Sequence, residues 1–169
     1  MPTILTKPAL EPTEPERRLQ EVLNEFYGKY FNGRPTVTPD GSISFVDCNL
    51  GFNAAALDFS KPVIHTIFGD LRPVRTWETD GKRHYMVAAT LTIYARVQNK
   101  GDADSDELTV RRIGDQVRYL FEAPSLRAGL SQKGIARAKV VRGPVPQPVT
   151  GYQVRLLMVD CTLRYAMTI

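Results

Sequence analysis

Asp102, Asp104 and Asp106 alternate along Asp102-Ala103-Asp104-Ser105-Asp106, and carboxylates two residues apart are what a calcium loop uses. Such a loop also needs glycine at its sixth position for the sharp turn and glutamate at its twelfth to grip the ion with two oxygens. Those positions hold Glu107 and Ile113, so acids gathered before a helix N-terminus account for the cluster, and no metal is expected. The two histidines, His65 and His84, fall in no H-E-x-x-H, H-x-H or Cys-His pattern. No G-x-S-x-G elbow or phosphate-binding glycine loop is present. Cys48 and Cys161 stand far apart without metal-like spacing and read as two reduced, half-buried thiols. With no nucleophile, base or ligand set assembled, the expectation is a non-enzymatic chain without a cofactor.

The strongest charge feature is an omission. From Ala123 to Val159 there is no Asp or Glu, yet Arg127, Lys133, Arg137, Lys139, Arg142 and Arg155 all fall there. One reading is a solvated strand face with its loops. The other is a positive surface facing nucleic acid or an acidic protein. No aromatic is interleaved before Tyr152, so a stacking platform for single strands is not expected from this stretch. Arg111, Arg112 and Arg118 are diluted by Asp115 and by first-turn acids, which argues against a helix that reads DNA sequence. A net charge of +4 and a pI near 9.2 are mild and do not by themselves mean nucleic acid.

The elements that must position these residues are legible in part. A chain of 169 residues, 43% hydrophobic and 24% charged, suits one ordinary globular domain. No apolar run approaches the roughly 20 residues of a membrane span, and Met1 to Glu16 has no signal-peptide core, so a cytoplasmic, unprocessed chain is expected. Residues 1–12, with Pro2, Pro8 and Pro12, read as an extended arm ahead of a domain over 13–169. Thr13-Glu14-Pro15-Glu16 is a capping-box pattern, and Leu19, Val22, Leu23, Phe26, Tyr27 and Tyr30 follow at helical spacing until Asn32-Gly33. The irregular insert over 34–62 holds a turn at Pro39-Asp40-Gly41-Ser42, the hint of a hairpin between Val37 and Ile43/Phe45, and a loop from Asn49 to Ser60. A short strand follows from Pro62 to Phe68.

Leu71–Trp77 and Arg83–Val97 flank Thr79-Asp80-Gly81-Lys82, a hairpin signal, and every odd position from Tyr85 to Val97 is apolar. Ser105 is the expected cap of a second helix carrying Val110, Ile113, Val117, Leu120 and Phe121, which Ala123-Pro124 ends. Gly134–Arg142 alternates again, with Arg137 and Lys139 on one face, and Gly143 to Pro148 reads as a proline-rich connection. The last strand, Tyr152 to Ile169, changes the parity of its apolar residues midway, which predicts a bulge near Leu157–Asp160. The sum is an α+β fold: an antiparallel or mixed sheet built from hairpins, with two main helices packed on one face.

This order resembles the tail-terminator (tail-completion) proteins of long-tailed bacteriophages. The features that carry the likeness are the helix from Pro15, the segment Leu57-Asp58-Phe59-Ser60-Lys61-Pro62-Val63 and the hairpin over Asp80-Gly81. The passage ending Ile113-Gly114-Asp115-Gln116-Val117-Arg118-Tyr119-Leu120-Phe121 and the closing hairpin into Arg155–Tyr165 complete it. The resemblance implies a virion structural protein, assembled in the host cytoplasm, that forms a hexameric ring on the last ring of the tail tube. There it would end tube polymerisation and meet the head-side connector, with non-specific contact to passing DNA and no membrane. Under that reading Arg127, Lys133, Arg137, Lys139, Arg142 and Arg155 are the candidates for lumen or partner contacts, and each ring interface is heterologous and closed. The alternatives are another head–tail connector or neck protein, or a small basic nucleic-acid-associated domain.

Overall fold

The computed structural model describes residues 13–37, 43–49, 62–69, 71–99 and 101–169, with the side chains of residues 32–49 outside that description. The expected arm over 1–12, the turn at 39–42 and all of the Asn49–Ser60 loop but Asn49, which ends a strand, lie outside the described residues, as does most of the Leu57–Val63 segment.

Helix α1 (Glu14–Tyr30) buries Leu19, Leu23, Phe26 and Tyr27 along one stripe. Thr13 occupies the N-cap position, but its side chain makes no capping hydrogen bond, so the capping box does not form as read. The first turn is held instead through Glu14, which accepts from Arg17 Nη2 at 2.6 Å and from Arg18 Nε at 2.8 Å. The chain then runs into strands β1 (Asn32–Val37) and β2 (Ile43–Asn49), an antiparallel pair with Val37 opposite Ile43. Strand β3 (Val63–Phe68) follows.

Strands β4 (Arg72–Thr79) and β5 (Lys82–Gln98) form the hairpin expected from Asp80-Gly81. Both turn residues have positive φ, 52° at Asp80 and 72° at Gly81, as a two-residue turn matching strand twist requires. Helix α2 (Ala103–Glu122) is capped by Asp102, whose carboxylate accepts from the Ser105 amide at 3.2 Å, so the cap lies three residues earlier than Ser105. Pro124 does not simply end the helical region. Its fixed φ suits a first turn, and a third helix, α3 (Pro124–Gln132), begins there.

Strand β6 (Ile135–Val149) runs straight through the proline-rich stretch that reads as a connection. The sheet explains why. Its order is β1-β2-β3-β5-β7-β6, so β6 is an outer strand, and prolines can turn their missing donors away from the single neighbour. Strand β7 (Tyr152–Thr168) pairs with β5 without interruption from Lys82 opposite Thr168 to Gln98 opposite Tyr152. The bulge expected in β7 is absent; the register shifts sit on its partner β6, between Ala136 and Lys139, Val140 and Arg142, and Arg142 and Val145. The change of parity has another cause. Leu157, Val159, Cys161 and Leu163 share the face of Ile93, Leu91, Ala89 and Val87, while Val154 and Leu156 are buried on the opposite face.

Among the described residues all the strand pairs are antiparallel, and the fold is α+β. One core joins α1, α2 and Leu130 of α3 to the odd-numbered face of β5 and β7. Inside it the Tyr27 and Thr66 hydroxyls hydrogen-bond at 3.0 Å, tying α1 to β3. Strand β3 takes the edge of β5 from Leu91 to Arg96, and β4 takes the same edge from Lys82 to Ala88. The outer halves of β4, β5 and β7 thus form a three-stranded blade. On it almost every β4 residue is exposed.

Candidate functional site

The six basic residues of the acid-free stretch do not form one surface. Arg155 belongs to the helix-covered face of β7, is 11% exposed, and is ion-paired with Glu107 of α2. Within the subunit it therefore serves the packing of helix on sheet. Lys133, at the end of α3, reaches Glu25 of α1 at 3.2 Å and clips two helices together.

Arg127, Arg137 and Lys139 do come together. Arg127 on α3 and Arg137 and Lys139 on β6 line one open concavity at the sheet edge together with Phe121, Glu122 and Ala138. Arg137 sits in the β6 register shift with φ 55°, a left-handed conformation uncommon for a residue with a Cβ. It also borders a second depression that holds Arg72, Thr90, Asp160 and Thr162. Arg142 stands opposite Met158 on the same outer strand and is exposed.

The residues that sequence reasoning passed over come from the blade. On the face of the sheet that the helices leave free, β4 contributes Arg72, Arg75 and Trp77, opposite Ala88, Met86 and His84 of β5. Strand β7 adds Arg164, also opposite Met86. The Trp77 and His84 rings are stacked, with centroids 5.2 Å apart and planes 6° from parallel. The Arg75 guanidinium lies over the indole, 5.0 Å from its centroid. Among the described residues, no side-chain hydrogen bond or ion pair engages Arg72, Arg137, Lys139 or Arg164. The carboxylate on this face, Asp160, accepts from the Thr90 hydroxyl at 3.0 Å.

Charge is thereby sorted by layer. Helix α1 carries four acids against three bases, and α2 with its cap carries six against three. The free face of the blade carries cations and one described acid.

Among the described residues no three His, Cys, Asp or Glu side chains gather where they could share a metal. Cys161 is buried against Ala89, and burial together with the charge of Asp160 pushes its thiol up to about 12, away from nucleophilic chemistry. No helix among the described residues is long and apolar enough to cross a membrane. No protein-family model, curated protein or solved structure matches the chain.

Proposed function

We propose that the chain is a non-enzymatic phage virion protein that ends tail-tube polymerisation as an oligomeric ring and joins the tail to a head-side connector. The observation that carries this reading is the blade. Beyond the helices, β4, the start of β5 and the end of β7 are wet on both faces, and Val74, Met167 and Ile169 are 60%, 41% and 68% exposed. Apolar side chains on a paired, projecting set of strands suit burial against a neighbouring subunit. The described outer strands carry Pro73, Arg72 and Arg75 on β4 and Pro144, Pro146 and Pro148 on β6, which oppose simple edge-to-edge pairing. Association through the blade surface is the better fit, and a repeated head-to-tail contact of that kind forms a ring when its rotation closes.

The fold supports the same reading in a coarser way, being the α+β arrangement that the resemblance to tail terminators implies. The Arg127, Arg137 and Lys139 edge, with Arg142 nearby, then serves the lumen or the partner surface. The test adds the protein to polymerising tail-tube subunits and measures tube lengths by electron microscopy. Shorter tubes bearing a terminal ring are expected, and loss of both with Met167→Asp plus Ile169→Asp. Tubes of unchanged length without end density would exclude the reading.

A further inference from the structure

We infer that the helix-free face of the blade is a binding platform for single-stranded nucleic acid, whether or not the chain closes into a ring. Four observations converge on it. First, Arg72, Arg75, Arg164 and Arg137 reach this surface from three different strands, β4, β7 and β6, and are exposed. Second, the side chains of Arg72, Arg137 and Arg164 are spent on no carboxylate within the described residues. Third, Asp160 is the one described acid there, and it already accepts from Thr90. Fourth, the cations flank an aromatic cluster in which Arg75 lies over the Trp77 ring and Trp77 stacks with His84, ordered before any ligand arrives.

The geometry selects among polyanions. An acidic peptide would use the charges and leave the aromatic cluster idle. A duplex presents phosphates on its outside and keeps its bases stacked on one another. A single strand offers phosphates and unstacked base faces together, and both guanidinium planes and aromatic rings accept such bases. From Lys82 to Thr90 the platform runs about 26 Å along β5, enough for several nucleotides laid across three strands. The acid-free stretch holds no aromatic of its own before Tyr152. Pairing of β7 with β5, and of β5 with β4, brings Trp77 and His84 alongside the basic residues of β6 and β7.

The test exploits the chain's single tryptophan, which makes its emission a local reporter of the platform. A labelled deoxythymidine oligomer is titrated with the full chain by fluorescence anisotropy over a range of salt, while Trp77 emission is followed. Binding with quenching of Trp77 is expected. Arg72→Gln with Arg164→Gln should weaken it at least tenfold and lower the salt slope by roughly 1.4, about 0.7 for each lost phosphate contact. Arg112→Glu, on the exposed side of α2, should change neither, and circular dichroism checks that both variants keep their sheet. Several results would each overturn the inference. They are no binding, equal affinity for a duplex or for polyglutamate, unchanged Trp77 emission on saturation, or equal loss with Arg112→Glu. None of them bears on whether the chain forms a ring.

Discussion

The Arg155 guanidinium pairs with the Glu107 carboxylate, joining β7 to the first half of α2. Two turns further along α2 the helix lies close on the sheet because residue 114 is glycine: a Cβ there would lie 3.2 Å from Arg155 Cβ and 3.3 Å from Pro144 Cβ. Glu107→Gln leaves a cation that is 11% exposed without its counter-charge and should lower stability by about 2 kcal/mol in chemical denaturation. Replacing both partners, Arg155→Met with Glu107→Leu, should recover most of that loss, since no unpaired charge remains. A double variant as unstable as the single one would contradict the pairing.

A second test concerns the hydroxyl pair in the core. Tyr27 and Thr66 hydrogen-bond at 3.0 Å between α1 and β3, and Thr66 is fully buried. Tyr27→Phe should destabilise the protein by about 1–2 kcal/mol, because a buried polar group loses its partner. Adding Thr66→Val should bring little further loss. Strictly additive effects of the two substitutions would show that the hydroxyls do not interact.

Cys161 makes stability depend on alkaline pH. Its thiol is pushed up to about 12 in the fold, first by burial and then by Asp160, whereas an unfolded cysteine ionises near its ordinary value of roughly 8.5. The folded pKa is the raised one, so the contribution is complete below the unfolded value and is lost as pH rises toward about 12. Cys161→Ala removes it. The stability advantage of the native chain over this variant, measured by urea unfolding, should shrink steadily above pH 9. A constant difference up to pH 11 would contradict the buried thiol.

The β6 edge offers a test of surface against scaffold. Arg137 and Lys139 are exposed and line the same concavity as Arg127. Arg137→Glu with Lys139→Glu should leave thermal unfolding within a few degrees of native and impair assembly on tail tubes or DNA passage. Unchanged particle yield from this double variant would remove the edge from any lumen or partner role.

Much of the architecture is legible in the sequence because local rules decide it. Helix α1 and strand β5 each carry one uninterrupted period of apolar residues, and the Asp80-Gly81 turn fixes its own hairpin. Counting outward from that turn even places Trp77 opposite His84, a contact that was available from the sequence and passed over. What failed depended on neighbours distant in the chain. Prolines 144, 146 and 148 look like a linker until β6 is known to be an outer strand. The parity change in β7 looks like a bulge until Val154 and Leu156 are seen to be buried on one face and Leu157, Val159, Cys161 and Leu163 on the other. The candidate site was legible only as an absence of acids. That composition could not separate Arg155, committed to Glu107, from Arg137, which pairs with no carboxylate among the described residues, nor add Arg72 and Arg164 from outside the stretch.

Solution mass, measured by light scattering across concentration and salt with and without tail tubes, probes the proposed role most directly. Self-association through the blade should give one discrete species near six times the 18.9 kDa chain mass, and Met167→Asp with Ile169→Asp should return it to a monomer. A native chain that stays monomeric at every concentration, with tubes present as well as absent, would contradict a ring-forming terminator.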